Sequence, residues 1–310
     1  MILTVTPNAA VDRVIFIDEF QPGTAMRATR TIHSVGGKGC DTSVALRTFE
    51  IDTLALTFVA GPHGELLARL LDNYGIRHDL IWLEGDTRIV HVLLETKHHR
   101  TSLVTAGTLS IPPAGLAQLI ERCQTYLPQA DWLIAAGSLA PGLPDTFYQT
   151  MIELARAAHV PILIDASGPP ILATLAAPPD ILKMNQVEFE RTFNLSAASL
   201  AELQSLAQTV HERRKAGALV ITCGEEGILA LSPEGVFLAT APLQQAVNTA
   251  GAGDTASAML AWRLSLGESW AEALRWAAAG GAACVLTEGT ADSRRPDVER
   301  LLPQVEVRQL

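Results

Sequence analysis

Hydrophobic and polar positions follow two rhythms along this chain. Short apolar runs rich in Val, Ile and Leu fall at 2–6, 53–59, 132–136, 160–164, 181–184 and 218–222. Between them, 41–49, 64–74, 113–126, 144–158 and 199–215 read as helices. Apolar runs suit strands buried on both faces, and their alternation with helices predicts a parallel sheet covered on either side. Beyond Asp254 the pattern becomes two helices, about 254–266 and 270–286, rich in small residues and closely packable. The second rhythm alternates polar and apolar residues over 14–34 and 88–105, as in Arg88-Ile-Val-His-Val-Leu-Leu-Glu-Thr96. It predicts a hairpin and a small antiparallel sheet set off from the main body. Such a flap, with segments at about 12–35 and 87–106, would shut water out of a reaction; ordinary edge strands are the plainer alternative. The fold expected is α/β: three layers, a mostly parallel central sheet and a small β-sheet lid, in one domain over 1–310.

Composition narrows the function. Of 310 residues, 48% are hydrophobic, enough for a large core, and the net charge is −10. That balance argues against nucleic acid, which is held by clustered Lys and Arg. A small phosphate-bearing ligand needs only two or three local cations and stays allowed. No apolar run is long enough to cross a bilayer, so no membrane role is expected, and the N-terminus lacks a charged leader-like segment. A cytoplasmic protein is the expectation. Cys40, Cys123, Cys223 and Cys284 are scattered and form no Cys-x-x-Cys pair, so reduced, buried thiols are expected rather than zinc or disulfides.

The stretch Val247-Asn-Thr-Ala-Gly-Ala-Gly-Asp-Thr-Ala256 places small residues and one acid directly before a helix. Free backbone N–H groups and the helix dipole make such an end a phosphate site. Asp254 could take a proton from a hydroxyl lying against that phosphate, while Gly251, Ala252 and Gly253 form the anion hole. Two alternatives compete. Asp254 could be a plain N-cap, and Gly251–Ala256 also fits a loose dinucleotide fingerprint, although two helices rather than a helix and a strand follow. Near the N-terminus, Gly36-Gly37-Lys38-Gly39 is not a Walker A loop; its glycines permit close backbone approach and Lys38 supplies a cation.

These pieces recur in order. Thr4-Val-Thr-Pro-Asn-Ala-Ala-Val-Asp12, Gly36-Gly-Lys-Gly39, Asp165-Ala-Ser-Gly168, Lys183-Met-Asn-Gln-Val-Glu188, Thr222-Cys-Gly-Glu-Glu-Gly227 and Gly251-Ala-Gly-Asp254 resemble the ribokinase-like (PfkB) carbohydrate kinases over nearly the whole chain. The start and Ala136-Gly-Ser-Leu-Ala-Pro-Gly142 resemble the 1-phosphofructokinase and tagatose-6-phosphate kinase branch. The resemblance implies a ribokinase-like fold and transfer of phosphate from ATP to a sugar hydroxyl, with Asp254 as base. It implies that Asp12 and Asp41 hold sugar hydroxyls, with the Gly36–Gly39 backbone, Gly36 and Gly37 included, beneath the sugar. Lys183 lies near the nucleotide phosphates, Asn185 and Glu188 organise Mg2+ through water, and Thr222, Gly224 and Gly227 line the nucleotide site. Asn185 and Glu188 also read as a helix capping box. Arg27, Lys38, Arg88 and Ser138 are the candidates for a substrate phosphate; each Arg alone could be a surface charge.

The chain departs from that branch at two places. Asp41 stands where Asn is usual, and Arg88-Ile-Val-His-Val92 replaces Arg-x-Asn-x-Lys, removing two polar contacts from the flap. Asn248 leaves K+ dependence open. The expected substrate is a sugar phosphate of the fructose 1-phosphate, fructose 6-phosphate or tagatose 6-phosphate type. Unphosphorylated sugar, polyol or nucleoside kinase is the alternative, with a non-catalytic sugar- or nucleotide-binding regulator behind it. A homodimer through the lid is expected, because an apolar face with Val14, Phe16 and Ile17 seeks cover.

Overall fold

The computed structural model describes residues 1–106, 109–214 and 217–310; Lys215, at the end of an expected helix, lies outside the described residues. Along the chain run β1 (Ile2–Thr6), β2 (Ala10–Ile17), β3 (Arg30–Gly36), α1 (Lys38–Thr48), β4 (Thr53–Ala60), α2 (Gly61–Asn73), β5 (Arg77–Leu83), β6 (Arg88–Glu95), β7 (Arg100–Ala106), α3 (Pro113–Tyr126), β8 (Trp132–Ala136), α4 (Phe147–Ala157) and β9 (Ile162–Asp165). They are followed by α5 (Pro169–Leu172), β10 (Ile181–Asn185), α6 (Gln186–Phe193), α7 (Leu200–Arg214), β11 (Ala218–Thr222), β12 (Ile228–Ser232), β13 (Gly235–Thr240), α8 (Ala252–Ser265), α9 (Trp270–Cys284), α10 (Arg295–Leu301) and β14 (Glu306–Gln309).

Among the described residues, ten strands form one sheet in the order β14-β13-β12-β11-β10-β9-β8-β1-β4-β5. Its strands from β11 to β5 are parallel, and β12, β13 and β14 extend it antiparallel. Successive side chains of β8 show why the runs are apolar throughout. Leu133 and Ala135 pack with Leu119, Phe147 and Phe189 on one face, while Ile134 and Ala136 pack with Leu46, Met259 and Ala277 on the other. This is the three-layer α/β/α arrangement expected. The run at 160–164 pairs only from Ile162, after Pro161, which has no N–H for a ladder.

Two local expectations change. The helix expected from 41 begins at Lys38, with Gly37 as its N-cap at φ 99°. A Cβ at Gly37 would also stand 2.9 Å from Ala9 Cα, so glycine answers both a backbone and a packing demand. The small sheet, in the order β3-β2-β6-β7, is mixed rather than antiparallel, because β2 and β6 pair parallel. The reason is topological: β2 follows β1 and β6 follows β5, two parallel strands of the main sheet, so both leave it in the same direction.

The inner face of the small sheet buries Val14, Phe16, Val90, Val92 and Leu94, with Ala250 packed against them. The face expected to need a partner is thus covered within one chain: Val14, Phe16 and Ile17 are all 6% exposed or less. Its opposite face leaves Ile15, Ile89 and Leu93 half-buried and Val104 exposed. No helix among the described residues is long and apolar enough to cross a membrane. The four cysteines are buried and free.

Candidate active site

The carboxyl ends of the parallel strands converge beneath the small sheet. Asp165 closes the apolar run of β9 and is 1% exposed. Three chain segments meet at its carboxylate. Lys183 Nζ of β10 donates to Oδ2 at 2.5 Å, Lys38 Nζ of α1 to Oδ1 at 2.8 Å, and Ser257 Oγ of α8 to Oδ2 at 3.0 Å. Burial alone would raise the Asp165 pKa, yet the two lysines hold it well below the usual carboxylate range. Lys38 also donates to Glu188 Oε1 at 2.9 Å. Burial disfavours its ammonium, but Asp165, Glu188 and Asp254 keep it charged. The sequence pattern assigned Asp165 and Ser257 no role; the signal present was an acid ending an otherwise apolar run.

Gly251 caps α8 at φ 85°, where a Cβ would overlap the Ala291 backbone N at 2.2 Å. The N-cap therefore has no side chain, and Asp254 lies one turn in, so it is not the cap. Among the described residues no hydrogen bond engages its carboxylate, and it is 8% exposed. Burial, then the negative charge of Asp165, pushes its pKa up to about 7, against the pull of Lys38 and Lys183. A Cβ at Gly253 would stand 3.4 Å from Lys183 Nζ, so that ammonium lies against the first turn of α8. A group arriving here meets free helix N–H donors, two nearby lysines and a carboxylate able to take a proton near neutral pH.

On the far side of Asp254 the charges are mainly negative. Asp12 of β2 is buried and accepts from Thr290 Oγ1 at 2.7 Å; burial raises its pKa to about 7 against Thr290 and Arg88. Gly36 leaves room for it, since a Cβ there would fall 2.1 Å from Asp12 Oδ1. Asp41 of α1 is 4% exposed, and its Oδ1 has no partner. Arg88 donates through Nη2 to the Asn8 carbonyl at 2.9 Å, while its buried Nε is unpaired. Asn8 Nδ2 in turn reaches Ser138 Oγ at 3.4 Å, so Arg88 and Ser138 are joined through Asn8. Arg27 is not brought in: it stays exposed in the segment linking β2 and β3.

A cleft of about 350 Å3 opens on the other flank of α8. Asn185, Thr222, Gly224 and Gly227 line one wall, and Ala252, Gly253, Ala256, Ala277 and Gly281 the opposite one. Small residues on α8 and α9 keep that wall free of bulky side chains. Asn185 and Glu188 do form a capping box: Glu188 N donates to Asn185 Oδ1 at 2.8 Å, and Asn185 N to Glu188 Oε2 at 2.9 Å. The box also pins Glu188 toward Lys38, so it serves the site as well as the helix.

A cleft walled by small residues, a helix end with free N–H groups and a buried acid beside two lysines are the parts expected of a phosphotransferase that acts on an alcohol group. The family model described as pfkB family carbohydrate kinase matches residues 5–297. D-tagatose-1-phosphate kinase of Bacillus licheniformis is 32% identical over 298 residues, 96% of each chain. 1-Phosphofructokinase of Bacillus subtilis is 29% identical over 312 residues, the full length of both. Among solved structures, phosphofructokinase-2 from Escherichia coli in complex with potassium superposes with a TM-score of 0.87 over 98% of each chain, at 22% identity. The chain belongs to the pfkB family of carbohydrate kinases and has its ribokinase-like fold.

Proposed function

We propose that the protein transfers the γ-phosphoryl group of ATP to a hydroxyl of a ketohexose phosphate, of the fructose 1-phosphate, tagatose 1-phosphate or fructose 6-phosphate type. The observation that carries this reading is the buried, unbonded Asp254 carboxylate one turn into α8, beside Lys38 and Lys183. The names of the two relatives support the phosphorylated acceptor. The acceptor hydroxyl gives its proton to Asp254 as its oxygen bonds to the γ-phosphorus, and the bond to the β-phosphate oxygen breaks. The N–H groups of Gly251, Ala252 and Gly253 hold the oxygens that gain charge. When bound, ATP supplies the phosphoryl group and Mg2+ offsets its charge.

Among the described residues no three acids, histidines or cysteines cluster to cage a metal. Asn185 and Glu188, one box beside the cleft, fit a hydrated Mg2+ carried on phosphates. Thr222, Gly224 and Gly227 take the nucleotide. Asp12 and Asp41 take sugar hydroxyls over Gly36 and Gly37, and Arg88 with Ser138 takes the substrate phosphate. A K+ ion suits the loop behind Gly251, where Ser293 Oγ is buried without a partner and Asn248 is fully buried. We assign the enzyme to the cytoplasm, as a dimer that pairs the outer faces of the small sheets around Ile15, Leu93 and Val104.

One observation favours an unphosphorylated acceptor: three carboxylates, Asp12, Asp41 and Asp254, meet here, and of the cations described Arg88 faces Asp12 and Asp41 while Lys38 and Lys183 act on Asp254. The test is ADP release with Mg2+ across a panel of free and phosphorylated ketohexoses. Asp254→Asn should lower kcat by about 10²–10⁴ while ATP still binds. Full turnover in that variant would remove the mechanism, and turnover of free sugars alone would remove the sugar-phosphate reading.

A further inference from the structure

The sugar pocket holds a group that its neighbours leave without a function in the free protein. Asp41 sits in the first turn of α1, 4% exposed, and its Oδ1 touches no donor. A buried carboxylate normally satisfies each oxygen with a donor, because an unpaired charge in a dry site is strongly disfavoured. The groups facing Asp41 make matters worse for a charge. Asp12 on β2 and Asp254 on α8 are both acids, and among the described residues Arg88 on β6 is the cation that acts on it. Tyr74 beyond α2, Cys284 at the end of α9 and Cys40 on α1 are near enough to feel its charge, and all three are neutral at physiological pH. The strands β1, β4 and β8 beneath α1 carry no ionisable side chain. The two such residues of β3 are engaged elsewhere, Arg30 with Glu288 and His33 with Arg13.

We propose that Asp41 works as a neutral carboxylic acid, donating a hydrogen bond to an oxygen of the acceptor sugar, and so acts as a specificity-determining residue. The inference rests on reading this pocket as the acceptor's site. Protonation removes the charge that the pocket cannot compensate, and it turns the unpaired oxygen into a donor lacking only an acceptor. Asp12, held by Thr290, supplies the complementary acceptor. A sugar hydroxyl is the chemistry that meets both: it gives its hydrogen to Asp12 and receives one from Asp41. The direction of the electrostatics agrees, since burial first, then Asp12 and Asp254, raises Asp41 well above the usual carboxylate range, against Arg88 and the Gly37 backbone. Neutral Asp41 also answers the objection that three negative charges would repel a phosphosugar.

Two measurements decide it. The infrared difference spectrum of the parent protein against Asp41→Asn at pH 7 should show the carbonyl stretch of a protonated carboxylic acid, lost in the variant. Its absence would overturn the proposal, whatever the substrate proves to be. Steady-state kinetics should use D-tagatose 1-phosphate and D-fructose 1-phosphate, or D-tagatose and D-fructose if neither phosphate is turned over. Asp41→Leu, which cannot donate, should raise the acceptor KM roughly tenfold or more, and Asp41→Asn, whose amide donates, should recover most of that loss. The KM for ATP should move little in either variant. An Asn variant as impaired as the Leu variant would show that a carboxylate acceptor is needed, and the proposal would fall. Turnover of free sugars alone would fail the sugar-phosphate reading yet leave both tests of Asp41 intact.

Discussion

Asp165→Asn isolates the charge at the centre of the site. The amide keeps the shape of the side chain and can still accept one hydrogen bond, but it cannot neutralise two ammonium groups. Lys183, with its side chain 3% exposed, would be left as an uncompensated buried charge. Breaking a buried pair from one side typically costs about 3–5 kcal/mol. Lys38 is 31% exposed and retains Glu188, so it adds little to that figure. A loss of about 3 kcal/mol follows, or roughly 5–10 °C in Tm for a chain of this length. The pH dependence has a definite sign. Asp165 is depressed in the fold, so its contribution is complete above the unfolded value of about 4 and is lost as the pH falls through the folded one. Denaturation of parent and variant should therefore differ by a constant amount above the titration of Asp254 at about pH 7 and converge in acid. Catalysis gives a second readout. The negative charge of Asp165 helps to raise Asp254 to about 7, so the parent's kcat/KM should fall below that pH, as its base protonates. Without Asp165 the acid limb should move to lower pH. A variant within about 1 kcal/mol of the parent, with an unmoved acid limb, would refute both halves of this reasoning.

Two further substitutions test the walls of the site. Gly251→Ala demands a left-handed conformation of a residue with a Cβ and drives that atom into the Ala291 backbone, which cannot swing aside. It should cost at least about 2 kcal/mol in chemical denaturation and lower kcat as the helix end shifts. Ala282→Phe fills the slot between α8 and α9 from a half-buried position. It should raise the KM for ATP by roughly tenfold and leave the acceptor KM within about twofold; an equal rise in both would place the nucleotide elsewhere.

The main sheet was legible because strands buried on both faces are predominantly apolar, as β4 is from Thr53 to Ala60, where every residue is buried and only two threonines interrupt the run. Its edges were not. β5 mixes exposed and half-buried residues, and β14, Glu306-Val-Arg-Gln309, is largely polar and exposed, so neither leaves a pattern to read. Alternation did reveal the strands of the small sheet, but a period of two is the same in either direction along a strand. The parallel pairing of β2 with β6 depends on where the chain leaves the main sheet, which no local pattern records.

The candidate site divides in the same way. Gly251–Asp254 was readable because a small-residue turn before a helix has one electrostatic meaning wherever it occurs. Asp165 was not, since its role depends on lysines 127 residues before it and 18 after it, which only the folded sheet brings together. Identical residue types then diverge by environment alone. Asp165, between two lysines, stays charged; Asp12 and Asp254, buried with partial compensation, rise to about 7; and Asp41, buried beside both of those, is raised well above the usual carboxylate range. Lys38 and Lys183 therefore stay positive beside Asp165 and the first turn of α8, while Asp12, Asp41 and Asp254, with Arg88, form the proton-holding group. On the function proposed above, the acceptor oxygen would arrive among groups that take up protons, and the phosphoryl group would approach from the side of those that stay positive.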